Sequence, residues 1–153
     1  MPDIEVKMTG LDAALATMRR FPAEMQKRGL RAAGTSAMRI VRDAARAKAK
    51  TLNDPVTAST IWKKIVTRYN GKASKRVGGV VVQVGVQGGA KPQKGDHDTG
   101  HWRLLEFGTS QMAAQPFMRP ALESNVQAVT DKFISDIGPQ IDRAVERAKR
   151  RAS

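Results

Sequence analysis

The sequence predicts an α+β fold: a small antiparallel or mixed β-sheet packed against two long helices, with one long flexible loop, in a single domain over residues 1–153. Three observations predict it. Apolar residues step by three or four from Pro22 to about Lys50 and again from Leu122 to Val145, the period of an amphipathic helix. Between them, 61–69 and 77–87 carry alternating or β-branched apolar residues. The segment from Gly88 to Gly100 has four glycines, a proline and no period, which predicts a loop.

At the start, Ile4, Val6 and Met8 alternate with Asp3, Glu5 and Lys7, so a strand with one buried face is expected there, ended by Gly10. Asp12 is placed to cap a short helix carrying Leu11, Leu15 and Met18, which Phe21-Pro22 breaks. The first long helix follows. Its apolar positions are Met25, Leu30, Ala33, Ala37, Val41, Ala44 and Ala45, and the small residues Ala33, Gly34, Ala37, Ala44 and Ala45 let another backbone come close. Helix-on-sheet packing or a subunit contact would each use such a face.

Asn53-Asp54-Pro55 signals a turn. Ile61 to Tyr69 and Val77 to Gln87 then read as a hairpin, joined by a loose cationic loop from Asn70 through Lys72, Lys75 and Arg76. The 88–100 loop is expected to be disordered alone and ordered in an assembly. After Phe117-Met118-Arg119-Pro120, where Pro120 suits a first helical turn, Leu122, Val126, Val129, Phe133, Ile137, Ile141 and Val145 mark one helix. Gly138-Pro139 should kink or split it, and the basic end, 147–153, should fray.

Composition bounds the function. A chain of 153 residues with 41% hydrophobic and 27% charged residues is ordinary globular material. Neither an apolar run of membrane-spanning length nor a basic and apolar leader is present, so no membrane partner is expected. Without cysteine there is no disulfide, thiolate metal site or cysteine nucleophile. A formal charge of +13 predicts attraction to polyanions, either nucleic acid or an acidic protein surface. The candidate polyanion contacts are Arg28, Arg31, Arg39, Arg42 and Arg46 on the first long helix, and Lys72, Lys75 and Arg76 on the loop.

Catalytic chemistry has little support. Asp96, His97, Asp98 and His101 hold metal-ligand types, but on a glycine-rich loop with no rigid element to fix them, so no metal and no cofactor is expected. No Gly-x-Ser-x-Gly or phosphate-binding Gly-Lys-Ser/Thr loop occurs. Glu106, between Leu105 and Phe107, is read as one half of a structural ion pair with an arginine rather than as an acid or base, and the chain as a non-enzyme.

The densest stretch is His101-Trp102-Arg103-Leu104-Leu105-Glu106-Phe107-Gly108-Thr109, continued by Ala113-Ala114-Gln115-Pro116-Phe117-Met118-Arg119-Pro120-Ala121-Leu122-Glu123. Physically it reads as an extended apolar entry, a corner at Gly108 and a helix start. This pattern resembles the signature of the tailed-bacteriophage tail-component family, the neck, tail-completion and head–tail joining proteins that include minor tail protein Z-like members. The order of elements before it is similar too. One departure is that Pro55-Val56-Thr57 is followed by Ala58, where the family has Thr-Gly and a Leu after its proline.

The resemblance implies a structural virion protein at the neck or top of the tail, assembled in the bacterial host cytoplasm as a subunit of a homo-oligomeric ring. Its implied partners are copies of itself, a head-closure protein, and a tail-terminator or tube protein, with genomic DNA in the lumen. Trp102, Leu105, Glu106, Phe107, Gly108 and Thr109 would fix the corner, and Pro116, Phe117, Met118 and Pro120 would place the following helix. The competing reading is a sequence-independent nucleic-acid-binding protein working through its basic surface. Against that reading, the aromatics are few and are not interleaved with the basic residues as stacking platforms require.

Overall fold

A computed structural model describes residues 11–52, 61–87 and 101–153. The expected strand over 4–8, the turn at 53–55, the departure at 55–58, the loop 88–100 and the Asp96-His97-Asp98 cluster lie outside the described residues. The described residues form seven helices and two strands: α1 (Leu11–Met18), α2 (Ala23–Ala49), α3 (Ile61–Lys64), β1 (Ile65–Tyr69), α4 (Gly71–Val77), β2 (Val82–Val86), α5 (Trp102–Phe107), α6 (Met118–Glu123) and α7 (Val126–Ala152).

The expected fold class is therefore corrected. Both long helices are present, but the chain is mostly helical, and its only sheet among the described residues is a two-stranded one, too small for the helices to be organised around. Local chemistry explains the difference. In the expected first strand, Ile61–Lys64 closes a helical turn before the extended run begins. The expected cationic loop is α4, because Asn70 caps it: its Oδ1 accepts from the Ala73 N–H at 3.0 Å. Gly78, at φ 68°, closes α4 in the left-handed conformation, so the second strand starts only at Val82.

Two bonds frame the strands, Asn70 N–H to the Val81 carbonyl at 2.9 Å and Gln87 N–H to the Lys64 carbonyl at 2.8 Å. One chain number rises as the other falls, so β1 and β2 run antiparallel.

The molecule falls into two compact units. The first comprises residues 1–37, 69–82 and 126–153. Here α1 packs on α7, and Met18, Ala33, Ile137 and Ile141 form a buried cluster joined by Leu15, Phe21, Leu30, Phe133 and Val145. The helical stripes read from sequence thus supply this core. One residue the stripes omit is Gly29: a Cβ there would lie 2.8 Å from Ile141 Cγ1. Close approach of α2 to α7, rather than of α2 to a sheet, is what the small residue serves at this point. At Gly34 a Cβ would meet Val82 Cγ2 at 3.1 Å.

Helix α7 neither splits at Gly138-Pro139 nor ends early; it runs through Pro139 to Ala152. A proline clashes with the Cβ of the residue before it when that residue is helical, and glycine has none. The expected frayed basic tail is helical as far as Ala152. Its expected beginning moves too, since Leu122 belongs to α6, and a break at Ser124-Asn125 separates α6 from α7.

The second unit comprises residues 38–68 and 83–125. Its buried apolar residues include Val41, Ala45 and Ala49 of α2, Ile61, Ile65, Leu105, Phe117 and Ala121. Arg46 ties α2 to the start of β1, donating from Nε at 3.0 Å and from its terminal nitrogen at 2.8 Å to the Ile65 carbonyl.

Candidate interaction surfaces

The 101–123 stretch builds one module of the second unit. Its first half is helix α5 rather than an extended entry, because Trp102-Arg103-Leu104-Leu105-Glu106 are helix-compatible and nothing interrupts them before Gly108. Gly108 ends the helix with its N–H on the Leu104 carbonyl at 2.8 Å. Its φ of 72° and ψ of 177° suit glycine alone, and a Cβ would stand 2.8 Å from Ala114 N and 2.9 Å from Met112 O. The loop then doubles back: Thr109 N–H donates to the Met112 carbonyl, and Gln115 N–H to the Leu105 carbonyl at 2.7 Å. Thr109 Oγ1 accepts from Gln111 N–H.

Glu106 explains why the two halves of this stretch occur together. Its side chain is buried, and its partners are backbone amides rather than an arginine. Oε2 accepts from Phe117 N–H at 2.8 Å and Met118 N–H at 2.9 Å, while Oε1 accepts from Arg119 N–H at 2.8 Å. These are the otherwise unsatisfied donors at the start of α6. The next residue is Pro120, which has no N–H to satisfy. A carboxylate at a helix N-terminus also faces the positive end of the helix dipole. Phe117, fully buried, meets Trp102 edge to face at 6.4 Å between ring centroids. Pro116 is exposed and Met118 is half-buried.

The module's outer face is apolar. Leu104 and Phe107 are 51% and 52% exposed and sit three residues apart on α5, so they share a side. The Arg119 guanidinium lies 5.1 Å from the Phe107 centroid, linking that side to α6, where Leu122 is 37% exposed one turn further on. Phe107, expected among the anchors of the corner, is directed outward, and Leu104, which the sequence pattern does not single out, is exposed beside it.

The candidate polyanion contacts divide. Arg46 is committed to the Ile65 carbonyl, and Arg42 to Asp43 at 2.8 Å. The Arg42 hydrogen bond holds the Asp43 carboxyl below the usual carboxylate range, helped by the charges of Arg42, Arg46 and Arg39. Arg28 and Arg39 are exposed. Arg31 lies over the Tyr69 ring at 4.5 Å. Lys72, Lys75 and Arg76 are all exposed on α4. Other cations also lie against rings: Lys50, distant in sequence, and the adjacent Lys63 are 4.4 Å and 5.6 Å from the Trp62 centroid, and Arg103 is 5.7 Å from that of its neighbour Trp102.

A shallow depression on the hairpin is lined by Val66, Arg68, Gln83, Gly85, Val86 and Gln87 and carries no acid–base pair. Among the described residues no group of three His, Cys, Asp or Glu side chains could hold a metal ion, and no helix is long and apolar enough to cross a membrane. His101 stands at the N-cap position of α5. Comparison with protein-family models, curated proteins and solved structures finds no match to this chain.

Proposed function

We propose that this chain is a structural subunit of a tailed-bacteriophage virion, acting at the head–tail interface as part of a ring that joins the tail to the DNA-filled head. One observation carries the reading. The residues of the motif that resembles the neck and tail-completion proteins build a rigid, buried frame around Glu106, and that frame holds Leu104, Phe107 and Leu122 out to solvent. A frame this specified does not need large apolar side chains on its outside for its own stability, and exposed apolar groups collected on one face mark protein–protein contacts. The partners that fit are a neighbouring copy within the ring, a head-closure protein and a tail-terminator or tube protein. A ring would be closed by a head-to-tail contact in which different patches meet. The protein's role in this reading is binding and positioning, without catalysis.

The test is electron microscopy of lysates of the parent phage with this gene disrupted. Filled heads beside unattached tails, or complete-looking particles that do not infect, are the expected outcome. Normal infectious virions would remove the joining role.

A further inference from the structure

From the geometry of α4 we infer a second site, a contact for the phosphate backbone of double-stranded DNA made by Lys72, Lys75, Arg76 and Arg31. The inference stands on the first unit alone and does not need the joining role. Between Asp54 and Asp96 the sequence has eight lysines and arginines and no carboxylate side chain. Three of those cations are gathered on a helix of seven residues. Lys72, Lys75 and Arg76 stand at i, i+3 and i+4, so they share a face and repel one another. All three are exposed, and no carboxylate among the described residues pairs with them.

A solvated basic face would explain Lys75 and Arg76, which lie in the last turn, where the helix dipole favours cations. It does not explain Lys72. That residue is in the first turn, where the dipole disfavours a cation, and the same turn holds no acidic residue.

The helix is nevertheless held firmly. Besides the Asn70 cap, Ser74 is buried, with its Oγ donating to the Asn70 carbonyl at 2.7 Å and accepting from Val81 N–H at 2.9 Å. Gly79 N–H returns to the Ser74 carbonyl at 3.1 Å. A helix so fixed presents its charges in one arrangement, which lowers the ordering cost of binding an extended anion. Arg31 joins this cluster through Tyr69, since its guanidinium lies over that ring and a Cβ on Gly71 would be 3.5 Å from the ring's Cε1.

The choice of duplex DNA follows from what the face lacks. Val77 is the one large apolar side chain on α4 and falls off the cationic side by helical spacing, so the apolar centre of a protein–protein contact is missing. Single strands are held by stacking on open rings, and the Tyr69 ring already carries Arg31. Phosphate neutralisation by lysine and arginine heads remains, and it is blind to sequence.

The test uses the full chain and a labelled duplex of about 30 base pairs, read by fluorescence anisotropy across a salt series, with a labelled single strand of the same length and labelled polyglutamate as comparison ligands, for four proteins. These are the wild type, the variant K72Q/K75Q/R76Q, the variant R31Q, and a control at the α7 end with the same charge loss as the triple variant, R147Q/R150Q/R151Q. Glutamine is a good helix former and all the substituted positions are exposed, so each variant should unfold in urea as the wild type does. The α4 variant should bind at least about tenfold more weakly near 0.1 M salt and flatten the salt dependence by about 2.7 in slope, three phosphate contacts' worth. The control should lose about threefold or less, and R31Q should fall between them. Equal losses in the α4 variant and the control would reduce the effect to net charge and overturn the site. So would undiminished binding by the α4 variant, tighter binding of a single strand than of the duplex, or a loss confined to polyglutamate, which would mark an acidic protein as the ligand.

Discussion

Replacing Glu106 by glutamine tests the central frame with the smallest change of shape. Both carboxylate oxygens are in use, Oε2 by Phe117 and Met118 and Oε1 by Arg119. A glutamine keeps one oxygen, which can continue to serve two amides, but turns an NH2 group towards the third N–H. One charge-assisted hydrogen bond is lost, worth about 1.5–3 kcal/mol, and a buried donor faces another donor. Removing the negative charge from the α6 N-terminus forfeits about 0.3–1 kcal/mol more. The expected loss is about 2–4 kcal/mol, and Glu106→Ala, which abandons all three donors, should cost about 3–5 kcal/mol. Urea unfolding followed by tryptophan fluorescence measures it in the right place, because Trp62 and Trp102 both belong to the second unit. Amide exchange should accelerate at Phe117, Met118 and Arg119. A Glu106→Gln protein within about 0.5 kcal/mol of wild type, with those amides equally protected, would refute the capping argument.

Other expectations follow from the same geometry. Gly108→Ala must place a Cβ against Ala114 N and Met112 O at a positive φ, and should cost about 3 kcal/mol in the same urea experiment; a neutral result would mean the loop is free to move. Two helix substitutions should act oppositely on the first unit: Gly29→Ala loses about 1–3 kcal/mol against Ile141 despite its better helix propensity, and Pro139→Ala gains about 1–3 kcal/mol by restoring an N–H within α7, both read by calorimetry. The Ser36 hydrogen bond, with help from Lys132, holds the Asp136 carboxyl below its usual range. A depressed carboxyl contributes stability that is present above its unfolded pKa and lost as pH falls through the folded one, so Ser36→Ala should weaken the protein at neutral pH and converge with wild type in acid. A constant difference across the acid range would sink that assignment. Leu104→Gln with Phe107→Gln should leave the urea midpoint nearly unchanged yet prevent virion assembly in a complementation assay, whereas full complementation would remove this face from the interface.

Repetition decided which parts of this architecture could be read from the chain. The stripes of α2 and α7 repeat over 27 residues each, and Ala33, Ala37, Val41, Ile137 and Ile141 are buried where their spacing puts them. The α3–β1–α4–β2 region could not be read the same way, because its elements are four to seven residues long. At that length a single cap decides between loop and helix, as the Asn70 amide does for α4. Asn-Gly is equally a turn signal, and the competing cue, a run of helix-compatible residues after Asn70, was weak. Glu106 shows a different limit. Its importance was legible from its apolar neighbours, but its partners lie eleven to thirteen residues away and are main-chain atoms, which leave no mark in a pattern of side chains.

Adjacent residues 106 and 107 divide two jobs, and the division bears on how such a subunit would stay soluble before assembly. Burial of Glu106, Leu105 and Phe117 holds the frame, so Phe107 and Leu104 are spare to its stability and stay exposed. An exposed apolar face invites self-association, yet a formal charge of +13 opposes it, since every encounter between free copies brings like charges together. Charge repulsion acts over about 10 Å at ordinary salt, whereas apolar contact acts only on touching, so repulsion is met first. A polyanion or an acidic partner would reverse the order by neutralising the surface before the apolar faces meet. In the proposed reading, the excess of lysine and arginine is therefore a condition for the timing of assembly as well as a means of binding, and the apolar face closes contacts that charge has first permitted.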